Sequence, residues 1–260
     1  MSLARHHALG SPSWFELSTT DQAGAKRFYD EMFGWKSRDN PMPDGSAYTL
    51  FELDGREVGA CYTMMQEQIQ QGVPPHWGVY FKVDDADASA AAVRAGGGQV
   101  IVEPFEVMEH LRMAVCTDPE GAVFSLQQPR QHPGVAAVRE RNAVCWVELA
   151  TRDLVRADAF YRGLFGWQTA DYPDSFMAYR TFGNADGQLG GMMQMTAEWG
   201  DMPSHWSIYV NVADVDASVA RAIALGGALM VPAFDVPGVG RIARIDDPAG
   251  AGFYVIAFPA

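Results

Sequence analysis

The chain has 260 residues, 48% of them hydrophobic and 12% aromatic, enough for two small domains that each bury a core. A net charge of -13 argues against nucleic acid and anionic membranes as partners, because an acidic surface repels both. No apolar run approaches the roughly 18 residues that span a bilayer, residues 1–7 hold no apolar signal-peptide core, and Cys61, Cys116 and Cys145 lack CxxC spacing, so the expectation is a cytoplasmic protein with small buried thiols. In chain order, 13–18 reads as a strand, and Asp21 caps a helix with Ala25, Phe28, Tyr29 and Met32 at helical spacing. Gly34 stops that helix. Strands at 47–53 and 58–64 flank the Asp54-Gly55 turn, and 66–75 reads as a polar loop. The pattern then restarts: a strand at 77–83, a helix capped at Asp84-Asp85 and ended by Gly96-Gly97-Gly98, and strands at 99–105, 112–117 and 123–128.

The sequence is also written twice. Residues 14–35 and 146–167 align without a gap and share 11 of 22 positions. Residues 76–107 and 205–236 share 15 of 32, and the turn Asp118-Pro119-x-Gly121 recurs as Asp247-Pro248-x-Gly250. A period near 130 is domain length, not solenoid length, so the chain is a tandem duplication. The expected organisation is one domain over 11–129, a linker over 130–142 and a second domain over 143–260, each built as two βαβββ modules.

Asp21-x6-Phe28-Tyr29-x3-Phe33-Gly34-Trp35, its copy Asp153-x6-Phe160-Tyr161-x3-Phe165-Gly166-Trp167, the Val83-Asp84-Asp85-x-Asp87-Ala88 helix start and the Asp-Pro-x-Gly turns occur in this order twice. With these motifs the chain resembles the vicinal oxygen chelate superfamily, which holds glyoxalase I, bleomycin-resistance proteins and extradiol dioxygenases. The resemblance implies an α+β fold of tandem glyoxalase-like domains, each a curved, cup-shaped sheet with a ligand or metal inside. Metal-binding members take ligands from the first, fifth and eighth strands of a cup. The matching positions here are Trp14, Gly78 and Ser125 in the first half, and Trp146, Ser207 and Tyr254 in the second. None is a histidine or a carboxylate, so the usual metal site is expected to be missing, with no cofactor.

Residues two away from those positions keep the same strand face. Glu16 and His76 lie there and recur as Glu148 and His205; Gln127 lies there but becomes Ile256. The recurring pairs are candidate acid–base groups, and a divalent ion at Glu16/His76 is the metal-binding alternative. Trp14, Trp146, Gln127 and Tyr254 are candidate ligand contacts. Arg112 and Arg241, at equivalent places entering the seventh strand, are candidate clamps for an anionic substrate, with a salt bridge as the competing reading. Three functions follow: a small-molecule binding protein without the metal triad, a glyoxalase-like lyase or isomerase acting on a small dicarbonyl such as methylglyoxal, and a metal-dependent dioxygenase-type oxidoreductase. The partner in each case is a small molecule, with the chain a monomer or a homodimer.

Overall fold

A computed structural model describes residues 7–173 and 177–259. The signal-peptide reading at the N-terminus falls almost wholly outside them. The first half runs β1 (Pro12–Thr19), α1 (Gln22–Phe33), β2 (Lys36–Pro41), β3 (Ala47–Leu53), β4 (Arg56–Thr63), a short α2 (Gln66–Gln70), β5 (His76–Lys82), α3 (Ala86–Ala95), β6 (Gln99–Val107), β7 (Leu111–Thr117) and β8 (Val123–Pro129). The second runs β9 (Val144–Thr151), α4 (Leu154–Phe165), β10 (Gln168–Asp171), β11 (Tyr179–Asn184), β12 (Gly187–Gln194), β13 (His205–Asn211), α5 (Val215–Ala224), β14 (Ala228–Val236), β15 (Gly240–Asp246) and β16 (Gly252–Ala257). Each half forms one eight-stranded curved sheet, in the orders β2-β3-β4-β1-β5-β8-β7-β6 and β10-β11-β12-β9-β13-β16-β15-β14. Within a sheet, β1 pairs parallel with β4 and β5 parallel with β8, and the two modules join by the antiparallel pair β1·β5. The α+β architecture of paired βαβββ modules is thus as the sequence implies.

The helices start where the sequence offers a cap. Asp21, Asp85, Asp153 and Asp214 each accept a hydrogen bond from the backbone N–H three residues on. Gly34 and Gly166 close α1 and α4 in the left-handed conformation, with φ of 77° and 69°, which costs glycine no Cβ clash. Two elements differ from expectation. Residues 66–70, read as loop, form the exposed helix α2. The strand β2 has no apolar residue except its final proline and lies exposed at a sheet edge, so its sequence carries no strand periodicity.

Strand alternation sends Phe15, Leu17, Phe81 and Phe124 to one face of the first sheet, and Val147, Leu149 and Phe253 to the matching face of the second. These residues join α1 and α4 in a single core that spans both halves. Phe253 packs against Phe28, Tyr29 and Phe33, and Phe124 packs against Phe160, Tyr161 and Phe165, so each half's first helix lies on the other half's last strand. Buried polar groups cross the seam with the same reciprocity. Tyr161 Oη donates to Asp118 (3.1 Å) and accepts from Trp206 Nε1 (3.1 Å). Tyr29 Oη donates to Asp247 (3.1 Å) and accepts from Trp77 Nε1 (2.9 Å). The repeated aspartates of the Asp-Pro-x-Gly turns are therefore structural latches. Among the described residues, no helix is long and apolar enough to cross a membrane.

Candidate functional site

The opposite, concave face of each sheet carries the candidate residues, of which Trp14 is also packed into the shared core. On β1 these are Trp14, Glu16 and Ser18; across β5, Glu16 faces Gly78, Ser18 faces His76 and Trp14 faces Tyr80. Glu16 is held at both oxygens: Tyr80 Oη donates to Oε1 (2.6 Å) and Tyr48 Oη to Oε2 (2.5 Å). Trp14 Nε1 in turn donates to Tyr48 Oη (3.0 Å). The second half repeats the arrangement. Tyr209 Oη donates to Glu148 Oε1 (2.7 Å), Tyr179 Oη to Oε2 (2.9 Å), and Trp146 Nε1 to Tyr179 Oη (3.1 Å).

Burial pushes both glutamates above the ordinary carboxylate range, and the tyrosine hydrogen bonds oppose that shift in part. Burial, then the neighbouring carboxylate, holds Tyr48, Tyr80, Tyr179 and Tyr209 well above 10, so the four phenols remain donors. The tyrosines do not stand out in the sequence on hydrophobicity. Their recurrence at Tyr48/Tyr179 and Tyr80/Tyr209 is the signal that marks them.

The two cups differ in their walls. In the second, Tyr254 stacks on Tyr209 with ring centroids 4.4 Å apart and planes 6° off parallel. Ile242, Ile256, Phe234 and Val236 gather round this pair, and Met193, Met195, Met177 and Trp199 form a further apolar cluster near Tyr179. In the first, Ser125 stands where the second half has Tyr254, and Tyr62, bonded to Ser18 (2.6 Å), where it has Met193. The linker also folds back over the first cup. His132 meets Glu57 (2.7 Å) and sets its ring edge-on to Trp14, with centroids 4.6 Å apart, which leaves Trp14 only 3% exposed. Trp146 has no such cover and is half-buried. The cleft beside Trp146, at the seam between the halves, holds only about 30 Å³. That is little more than a water.

The remaining sequence candidates fall into place as follows. His76 and His205 have Nδ1 2.9 Å from the carbonyls of Pro74 and Pro203. A carbonyl only accepts, so Nδ1 is the donor in each contact. Burial, aided by Arg244, lowers the His205 value. Gln127 is fully buried and accepts from the Ser13 hydroxyl. Arg112 makes a two-toothed ion pair with Asp87 (2.7 and 2.8 Å), and Arg241 does the same with Asp216 (2.8 and 2.9 Å). Each ties a strand to the start of the neighbouring helix and points no free fork into a cup.

The donor set does not fit the divalent ion of metal-dependent superfamily members. The matching positions hold indole, glycine and hydroxyl side chains. The displaced set is spread out: His76 pairs with Ser18 at one end of β5, while Gln127 pairs with Lys82 at the other. Six residues of strand separate them, about 20 Å, so Gln127 cannot complete an ion site at Glu16 and His76, which leaves that pair with two protein donors. Among the described residues no three His, Cys, Asp or Glu side chains gather as a ligand group.

The profile of the Glyoxalase/Bleomycin resistance protein/Dioxygenase superfamily matches residues 11–126 and again 143–255. CFP32 of Mycobacterium tuberculosis, which carries the provisional name of a glyoxylase, is 39% identical over 95% of this chain and 94% of its own length. The anthracycline biosynthesis protein DnrV of Streptomyces peucetius is 35% identical over 96% of this chain and 94% of its own. A Mn(II)-bound glyoxalase from Novosphingobium aromaticivorans has the same fold, with a TM-score of 0.66 at 14% identity over 96% of this chain and 82% of its own. The chain belongs to the glyoxalase/bleomycin resistance protein/dioxygenase superfamily, as a tandem pair of its domains.

Proposed function

We propose that the chain binds a small, largely apolar aromatic molecule in the cup of its second half, without the metal triad of the metal-dependent members. The observation that carries this reading is Glu148 at the floor of that cup, fixed by two phenols within an aromatic and thioether-rich wall. Such a surface offers area to a flat ring, polarisable methionines that adapt to its outline, and one acceptor that orients a ligand hydroxyl. The likeness to DnrV, an anthracycline biosynthesis protein, supports an aromatic ligand. A cytoplasmic location is part of the same reading, on three cysteines that are free and buried and on the acidic composition. The reading is tested by isothermal titration with 2-naphthol: saturable binding that Trp146→Phe and Glu148→Gln weaken supports it. Absence of saturable heat with both 2-naphthol and its carboxylate counterpart 2-naphthoate, or binding indifferent to both substitutions, removes it.

Lyase or isomerase chemistry is the second reading, because burial raises Glu16 and Glu148 towards the range of a working general base. His76 lies within the electrostatic reach of Glu16. In that reading Glu16 would remove a proton next to a carbonyl while the Tyr48 and Tyr80 hydroxyls hold its position. Turnover of a methylglyoxal–thiol adduct that Glu16→Gln abolishes would favour it over simple binding. A metal-dependent dioxygenase-type reaction is disfavoured by the donor set, and no step is assigned to it.

A further inference from the structure

Register aligns one row of side chains across four neighbouring strands of the second cup. Trp146 on β9 faces Tyr209 on β13, Tyr209 faces Tyr254 on β16, and Tyr254 faces Arg244 on β15. At a strand spacing of about 4.8 Å the row is roughly 14 Å long. It is an aromatic floor that ends in a cation. The same row of the first half is Trp14, Tyr80, Ser125 and Val115, with neither the stacked phenol nor the charge.

The guanidinium of Arg244 is loosely held. Asp246 Oδ1 stands 3.5 Å from Nη2, beyond a charge-assisted hydrogen bond. That oxygen is buried and has no hydrogen-bond partner. No hydrogen bond to the guanidinium occurs among the described residues, in contrast to the bidentate pairs of Arg112 and Arg241. Room for Arg244 is built into the strand beside it: a Cβ at Gly252 would stand 2.8 Å from its Nη2, and the first half has Val123 at that position. Its charge is felt at both His205 and Tyr254.

We propose that the second cup takes an aromatic carboxylate, with its rings along the Trp146–Tyr209–Tyr254 row and its acid group on Arg244. This rests on the reading of that cup as the ligand site and adds the class of ligand. A planar fork with free donors matches a carboxylate in a way that a lysine or a hydroxyl does not. Glu148, one step along the strands, remains to accept from a hydroxyl elsewhere on the ring system.

The test is isothermal titration of the full chain at pH above neutrality with 2-naphthoate and, in parallel, with neutral 2-naphthol. Wild type should prefer the acid. Arg244→Gln should weaken 2-naphthoate by about tenfold or more and leave 2-naphthol within about twofold, the usual range for one charge-assisted hydrogen bond. Gly252→Ala keeps the charge but crowds the guanidinium, and should act in the same direction. Melting curves establish that both variants are folded. Binding of 2-naphthol alone, or equal affinity for both that Arg244→Gln leaves unchanged, overturns the role of Arg244 while the cup stands. If neither compound binds, the reading of the cup falls and this inference with it.

Discussion

Replacing Tyr161 with phenylalanine removes one hydroxyl from the seam between the halves and leaves two buried atoms without partners. Asp118 Oδ1 already accepts from the N–H groups of Glu120 and Ala122 (2.9 Å each), whereas Oδ2 takes its hydrogen bond from Tyr161. The indole N–H of Trp206 loses its acceptor at the same time. An unsatisfied buried group costs about 1–3 kcal/mol, so the two together set a loss of about 2–6 kcal/mol. For a chain of this size each kcal/mol lowers Tm by about 2–4 °C. Scanning calorimetry of Tyr161→Phe should then show a fall of about 4–24 °C at pH 7, with Tyr29→Phe losing a similar amount through Asp247 and Trp77. Because each half's helix is packed on the other's sheet, both variants should still unfold in one transition. A fall below about 2 °C in both, or two resolved transitions, one per half, would refute the reciprocal latch.

Other outcomes follow from the same geometry. Burial raises Glu148 above its ordinary value of 4.5, so the folded chain holds that proton more tightly than the unfolded one. Its contribution to stability is complete below about pH 4.5 and is lost as pH rises through the elevated folded value. Denaturant titrations from pH 4 to 8 should therefore show Glu148→Gln gaining on wild type as pH rises, and a constant difference would contradict this. Arg112→Gln and Arg241→Gln should leave ligand affinity unchanged, since both forks are engaged by helix-start aspartates; a selective loss of acidic-ligand binding in either would return them to the site. Burial pushes the thiols of Cys61, Cys116 and Cys145 up to about 12, so a thiol reagent should label none of them in native protein near neutrality and all three after unfolding.

What the sequence discloses depends on how local its signal is. The duplication, the aspartate caps and the glycine stops are short patterns, and they are enough to place α1, α3, α4 and α5, while the cup architecture comes from the family resemblance those motifs carry. The strand β2 was not legible because an exposed edge strand needs no apolar face, and Lys36–Pro41 has none. Glu16 and Glu148 could be picked out by recurrence. Their tyrosine partners depend on cross-strand register, which fixes that Tyr80 sits beside Trp14 and one row from Glu16. Arg244 was hidden for the opposite reason: it has no counterpart in the first half, so recurrence pointed to Arg112 and Arg241 instead. The cover that His132 gives Trp14 comes from a linker that carries no strand or helix periodicity in the sequence.

The measurement that bears most directly on a cup working without the metal triad is metal content per chain. Purified protein would be equilibrated with Mn²⁺, Fe²⁺, Ni²⁺ or Zn²⁺, dialysed, and analysed beside Glu16→Ala and Glu148→Ala. The donor sets described above predict no stoichiometric ion and no difference between the wild type and either variant. One ion per chain or per half, lost on removing Glu16 or Glu148, would contradict the account and place the chain with the metal-dependent members of its superfamily.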